Sequence, residues 1–451
     1  MLAFFSVAYL VPIAWSLGSG DGAVMDFVIA AGVNLVVGLG VALSTRRFRR
    51  ELKPRDGFIL VTLSWVLMSA SASIPLMVAL PDLSFTDAYF EAVSGITTTG
   101  STVLHGLDYL PPSINIWRTM LHWLGGIGII VLAVAILPLL GVGGMQLYKA
   151  ETPGPVKDEK LTPRITETAK ALWLTYLVFT VAAIIALKLC GLSWLDSVCH
   201  AFSVMALGGF SSRDASIGAF DTAAVEIVLS VFMVLASVSF ARHFVALRTF
   251  SLKPYQRDTQ GKAVLMVLGG SILLIAGLLT ISGTYPDLLE SLRHTTFNVI
   301  SVATTTGFSS ENYELWPLFA PVWMLFLSCI LCSTGSTGGG IKMFRTLLLW
   351  RQAAREFKQL VHPSAVIPIR IGGNVVPDRI IYSVLAFIFL YFMTIAAVTF
   401  SLLLTGLDIV SSLSAAVASL NNLGPAPGEV GPSTTYESLT DAQTWICTAA
   451  M

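Results

Sequence analysis

The sequence predicts an all-α membrane protein, with two leading transmembrane helices followed by four helix, re-entrant loop and helix repeats around a pseudo-fourfold axis. Three observations predict it. Of 451 residues, 55% are hydrophobic and only 12% charged, and the mean hydropathy of +0.76 exceeds that of soluble domains. Long uncharged runs alternate with loops that hold most of the basic residues. A short apolar helical pattern ending in a glycine-containing polar turn occurs four times.

Residues 1–56 hold the leading helices and a basic loop. Residues 1–17 have neither a basic leader nor a small-residue cleavage site, so they read as a first span rather than a signal peptide. Residues 24–43 form a second, and Arg46, Arg47, Arg49 and Arg50 anchor the chain inside. Repeat 1 occupies 57–148, and its residues 58–80 run 23 positions without a charge. At about 1.5 Å per residue, roughly 20 such residues cross the hydrocarbon core. Repeat 2, with a cytoplasmic loop before it, occupies 149–250 with apolar runs at 171–187 and 225–240. Repeat 3 occupies 251–362, with a run at 263–285 and a second helix expected from about Val322 past Trp350. Repeat 4 occupies 363–451, with a run at 380–407.

Charge orients these spans. Residues 46–55 hold six Lys and Arg, 149–170 five, 242–262 five and 342–379 seven, together 23 of 27. By the positive-inside rule these loops face the cytoplasm. The intervening loops are read as carrying Arg118, Arg213 and Arg293, with Lys188 at a span end, beside acids that include Asp82, Glu91, Asp108, Asp214, Glu311, Glu314 and Glu429. An acidic outer face concentrates cations.

The four turns are Ile96-Thr-Thr-Thr-Gly-Ser101, Met205-Ala-Leu-Gly-Gly-Phe210, Ala303-Thr-Thr-Thr-Gly-Phe308 and Leu420-Asn-Asn-Leu-Gly-Pro425. Their last glycines, Gly100, Gly209, Gly307 and Gly424, are separated by 109, 98 and 117 residues, about a quarter of the chain each. The helix before each turn is too short to span. Asp87 and Asp196 stand 13 residues before their glycines, where helix starts favour acids, and Asp287 and Asp408 stand farther back. Non-helical backbone at membrane depth must line a cavity or be buried in protein. Four such hairpins imply one shared pore, with the negative ends of four helices aimed at it.

Such a site suits a dehydrated monovalent cation, because rings of carbonyl oxygens replace its water. The oxygens of Thr98, Thr99, Leu207, Gly208, Thr305, Thr306, Asn422 and Leu423 are expected to line the path, with Gly100, Gly209, Gly307 and Gly424 marking the ring that admits the larger ion. In repeat 3, Ser333 and Thr334 with Gly335, Ser336, Thr337, Gly338, Gly339 and Gly340 interrupt the second helix. Glycine costs about 1 kcal/mol per helical position, so this segment reads as a mobile gating loop. Lys342 and Arg345 follow it at the cytoplasmic end. The loop is not a nucleotide-binding turn, since Ile341 stands where the lysine would be.

Other chemistry is not indicated. The five cysteines lie in or beside apolar runs, and Cys329 and Cys332 have no nearby histidine with which to hold a metal. The histidines read as structural, and no hydrolase or metalloprotease pattern occurs, so the chain is not expected to be an enzyme.

The stretches 90–102 (FEAVSGITTTGST), 122–130 (HWLGGIGII), 150–155 (AETPGP) and 333–345 (STGSTGGGIKMFR) resemble the Trk/Ktr/HKT superfamily of potassium transporters, most closely its bacterial TrkH branch. The resemblance covers nearly the whole chain. It implies potassium as cargo, a gate at the repeat 3 loop, a homodimer in the bacterial inner membrane and a cytosolic nucleotide-binding ring of TrkA type as partner. Neither an organic cofactor nor a nucleic acid is expected. Some members that carry sodium have serine at the first filter glycine, so Gly100 favours potassium. Relative to the family, the chain is expected to be clipped at both ends, stopping partway along the fourth inner helix. A secondary transporter coupling potassium to proton or sodium movement is the alternative, and spans almost free of ionisable residues favour the channel-like pore over it. Flux saturation and coupling stoichiometry would separate the two.

Overall fold

The computed structural model describes residues 2–46, 54–131 and 165–451. The 150–155 stretch and the arginines Arg47, Arg49 and Arg50 lie outside the described residues. Among the described residues, six helices are long and apolar enough to cross a membrane: Leu2–Ser19, Val24–Thr45, Asp56–Ala79, Glu167–Leu189, Thr259–Ile281 and Asp378–Leu404. The first two are the leading pair and the others are the outer helices of the four repeats. The outer helices bury narrow stripes and leave the rest to lipid. In Asp378–Leu404 the buried positions are Ile381, Val384, Tyr391, Ile395, Thr399 and Leu402, three to seven residues apart.

The leading pair packs on repeat 1. Val24–Thr45 buries Phe27, Ala30, Asn34 and Gly38, a helical stripe. Asn34 donates to the Tyr9 hydroxyl at 2.8 Å and also bonds Ser71. Such a polar contact satisfies groups that lipid cannot. Tyr9 stacks on Trp117 at 4.5 Å, with Phe5 and Phe27 edge-on to the same indole.

Each outer helix leads to a short helix within the bundle: Phe85–Ile96, Trp194–Ala206, Leu288–Ala303 and Ile409–Asn421. These four pore helices are largely buried, with every residue from Ala88 to Ile96 buried in the first. Each is followed by a turn and an inner helix, beginning at Pro112, Ala223, Phe319 and Asp441. The fold is therefore all-α and repetitive as expected. The strands described are the two-residue pairs Arg370–Ile371 and Asn374–Val375, a hairpin turned by Gly372 and Gly373 at φ 59° and 87°.

Two departures concern the inner helices. Residues 225–240, expected as one span, form Ala223–Ser237 and Phe240–Thr249 with a 101° bend between them. The cause is tertiary: the Ser333 N–H donates to Ser237 O at 3.0 Å, and the Phe240 N–H to Gly335 O at 3.0 Å. Bonds to the repeat 3 loop thus replace helical ones at the bend. The third inner helix breaks earlier than expected, ending at Ile330 and resuming as Met343–Val361.

Candidate functional site

The pore helices begin on polar caps. Ser84 and Ser193 accept from the N–H groups of Asp87 and Asp196, while Asp287 and Asp408 are themselves the caps. Ser84, Ser193 and Asp408 each stand 16 residues before their glycines. Asp287 stands 20 before, because the third pore helix is 16 residues long against 12 or 13 in the others. This explains why the four acids are unevenly placed in the sequence.

All four pore helices end alike. The next residue but one before each glycine is left-handed: Thr98 and Thr305 at φ 61°, Leu207 and Asn422 at φ 55°. The N–H that follows bonds back five residues, from Thr99 to Ser94 O at 2.9 Å, Gly208 to Ser203 O at 2.9 Å, Thr306 to Ser301 O at 2.8 Å and Leu423 to Ala418 O at 2.9 Å. Side chains other than glycine rarely adopt this conformation, at a cost of about 1–2 kcal/mol per residue. For threonine it is a true outlier. The surrounding contacts must therefore hold it. Thr97 and Thr99 pair through their hydroxyls at 2.8 Å, as do Thr304 and Thr306 at 2.8 Å. The Asn422 amide donates to Thr97 O and Thr99 Oγ1 at 2.9 Å each, tying turn 4 to turn 1.

The turns meet in a closed ring. Gly100, Gly209, Gly307 and Gly424 have φ 83°, 83°, 87° and 79°. A methyl group on Gly100 would overlap the Gly208 carbonyl oxygen, one on Gly209 the Thr306 oxygen, and one on Gly307 the Leu423 oxygen. On Gly424 it would lie 3.1 Å from the Thr99 oxygen. In every case the neighbour is the carbonyl just before the next repeat's glycine, in the order 1, 2, 3, 4 and back to 1. Of the twelve residues expected to form the filter, Thr99, Gly100, Gly208, Gly209, Thr306, Gly307, Leu423 and Gly424 meet in the ring, and the left-handed Thr98, Leu207, Thr305 and Asn422 directly precede them. Beyond the ring opens a cavity of about 80 Å³ that includes Gly100, Gly209, Gly307, Pro425, Arg213 and Asp214 in its lining. At its rim Arg213 bonds Asp108 at 3.0 Å and Asp196 at 3.0 Å. Burial pushes the Asp108 carboxyl up, but the Arg213 guanidinium and the Asp214 N–H outweigh it and hold it below its ordinary value.

The expected gating loop lies against the C-terminal ends of the pore helices, where the filter turns begin. The Cys332 thiol donates to Thr304 O at 3.3 Å, the Thr337 hydroxyl to Met205 O at 3.2 Å and the Gly339 N–H to Thr305 Oγ1 at 2.9 Å. Methyl groups on Gly338 and Gly339 would overlap Cys332 Sγ and Asn421 O respectively. This close approach is why the glycines run together. Gly335 accepts from Phe240, Ser336 donates to Ser333 O at 2.7 Å, and Lys342 donates to Gly338 O. Gly340 precedes Ile341, whose N–H bonds Cys329 O at 2.6 Å. Arg345 sits over the Phe387 ring at 4.2 Å.

Three residues are corrected. Arg293, read as an outer-loop residue, lies in the third pore helix and bonds Glu226 at 2.7 Å. Glu91 and Arg118, read as outer-loop residues, are buried inside the first pore helix and first inner helix, with side chains 0% and 1% exposed and 2.7 Å apart. Nothing in their spacing signals the pair, because they lie 27 residues apart on different helices. No group of three or more His, Cys, Asp and Glu suited to a metal occurs among the described residues. His122 and His200 bond serine hydroxyls at 3.1 and 2.9 Å, in keeping with structural roles.

A family model described as TrkH, cation transport protein, matches residues 24–451. The Trk system potassium uptake protein TrkH of Halomonas elongata is 45% identical over 454 residues, covering 100% of this chain and 93% of the relative. Its namesake in Escherichia coli K12 is 42% identical over 452 residues, with the same coverage of 100% and 93%. The crystal structure of the potassium transporter TrkH from Vibrio parahaemolyticus superimposes with a TM-score of 0.91 at 41% identity, covering 100% of this chain and 93% of that one.

Proposed function

As this chain belongs to the TrkH family of cation transport proteins, we propose that it takes up potassium ions through a gated, channel-like pore. Backbone carbonyls of Thr98, Thr99, Leu207, Gly208, Thr305, Thr306, Asn422 and Leu423 act as the selectivity filter, with Gly100, Gly209, Gly307 and Gly424 forming its ring. One observation carries the reading: each glycine sits against the carbonyl before the next repeat's glycine, so the four turns close on one axis. Four such approaches support carbonyl oxygens lining a single path, the arrangement that substitutes for an ion's water. The names of the relatives support potassium as cargo.

Residues 335–340 with Lys342 form the gate. The bonds of Thr337 to Met205 and of Gly339 to Thr305 at the C-terminal ends of two pore helices support this, since a loop in that position obstructs the path. On the same reading the protein works in the bacterial inner membrane as a homodimer, regulated by a cytosolic nucleotide-binding ring of TrkA type. The exposed Trp350, Phe357 and Leu360 on the helix after the gate support a cytoplasmic contact.

Replacing Gly100 with serine tests the filter. A side chain there meets both a positive φ and the Gly208 oxygen. In proteoliposomes the variant should lose potassium selectivity over sodium, and an unchanged permeability ratio would contradict the assignment.

A further inference from the structure

We propose that the buried Glu91–Arg118 pair is a positioning element that holds the first and second filter turns in register and thereby sets ion selectivity; this rests on the filter reading above. A buried ion pair recovers its desolvation cost only when its remaining donors and acceptors are also used. Here they are used on the filter. Glu91 accepts from the Thr102 hydroxyl at 3.0 Å and the Val103 N–H at 3.1 Å. Arg118 meets Glu91 through Nε and Nη2, each at 2.7 Å, and donates to Thr102 Oγ1 at 3.1 Å, Asn115 Oδ1 at 3.3 Å and the Ser211 carbonyl at 3.2 Å. Thr102 follows Gly100 by two residues, and Ser211 follows Gly209 by two. The pair therefore grips equivalent points on the chain leaving two adjacent turns. The guanidinium also lies 4.4 Å from the ring of Phe210, beside Gly209, and that ring stacks on His122 at 4.1 Å.

The other repeats show what this position does. Glu91 lies nine residues before its glycine, and the equivalents are His200, Asn298 and Ala415. His200 bonds the Ser211 hydroxyl at 2.9 Å. Asn298 bonds the Ser310 hydroxyl at 3.0 Å and accepts from the Ser310 N–H at 3.2 Å. The same point on three pore helices thus tethers the chain two or three residues past its own glycine. Only in repeat 1 is the tether a carboxylate, and its arginine extends the hold to repeat 2. In repeat 4, where Ala415 has no polar group, Ser411 instead accepts from the Glu429 N–H at 2.9 Å.

The test measures potassium, rubidium and sodium fluxes through the full chain in proteoliposomes, beside the thermal midpoint of each variant. Glu91→Gln keeps the shape and removes the charge. Arg118→Lys keeps the charge but cannot span Glu91, Thr102 and Ser211 together. Each should raise sodium permeability relative to potassium by about tenfold, the effect of losing charged hydrogen bonds in a buried network. Where either variant fails to fold, Thr102→Val, which leaves the pair and removes the hydroxyl both partners share, should give a smaller rise of the same sign. An unchanged ratio in the folded variants, with Gly100→Ser shifting it, would overturn the proposal. An unchanged ratio in Gly100→Ser would instead overturn the filter reading, and the proposal with it.

Discussion

The four turns of this protein are alike, whereas its inner helices are not. The turns share a left-handed residue, a bond back five positions and a glycine of positive φ, although their side chains run Thr-Thr-Gly, Leu-Gly-Gly, Thr-Thr-Gly and Asn-Leu-Gly. The inner helices diverge: the first is continuous over Pro112–Val131, the second bends by 101° and the third is interrupted between Ile330 and Met343. On the proposed filter, an ion on the axis would experience all four turns at once, so symmetry is required where carbonyls would face it. A gate needs only one obstruction, so the inner helices are free to differ. The bend of the second helix is made by bonds to the broken third, which shows the asymmetry to be a single coupled feature.

The glycine ring offers the largest test of that contrast. Gly100→Ala, Gly209→Ala and Gly307→Ala each place a methyl group on a carbonyl oxygen at positive φ. The strain of the left-handed conformation alone costs about 1–2 kcal/mol. All three should therefore lose selectivity together. Gly424→Ala, whose nearest neighbours lie at 3.1 Å, should lose least. Flux ratios for the four variants check this, and a loss confined to one turn would break the fourfold account.

Gly339→Ala comes next. Its methyl group would overlap the Asn421 carbonyl, and overpacking of this kind costs about 1–3 kcal/mol. Part of that strain is relieved by moving the loop away from the pore helices, so basal potassium flux without any partner should rise several-fold, by the arithmetic of about tenfold per 1.4 kcal/mol. Flux equal to or below that of the unmodified chain would show that the loop is not the obstruction.

How much of this was legible follows from where the physics is local. The glycines were readable because their spacing repeats and because non-helical backbone needs a reason to sit among spans. The repeat 3 break was readable from its run of small residues. The left-handed Thr98 and Thr305 were not, since threonine disfavours that conformation and only the ring of neighbours imposes it. The bend at Val238 was equally hidden, because Ser237 and Ser239 carry no breaking signal and the cause lies about 95 residues away in the repeat 3 loop. Arg118 looked like a loop residue because a lone charge among apolar residues can be assigned inside only when its partner, Glu91, is known. The Gly372-Gly373 hairpin did carry a signal, two glycines between Ile371 and the Asn374-Val375 pair.

The smallest effect is electrostatic and lies at the outer rim. The Asp108 carboxyl is held below its ordinary value in the folded protein, so its contribution is present above the unfolded value near 4 and is lost as pH falls through the folded one. With both partners 34% exposed, the contribution is at most about 1 kcal/mol. Asp108→Asn should lower the thermal midpoint slightly at pH 7 and flatten its decline in acid, as followed by thermal unfolding in detergent. A midpoint unaffected at both pH values would remove the ion pair from the account without touching the ring.

The central claim is that the four turns surround one ion path, and anomalous diffraction from crystals grown in rubidium tests it most directly. The account predicts density on the axis enclosed by Thr98, Thr99, Leu207, Gly208, Thr305, Thr306, Asn422 and Leu423, lost in Gly100→Ser. Density elsewhere, or none between these residues at saturating rubidium, would contradict it.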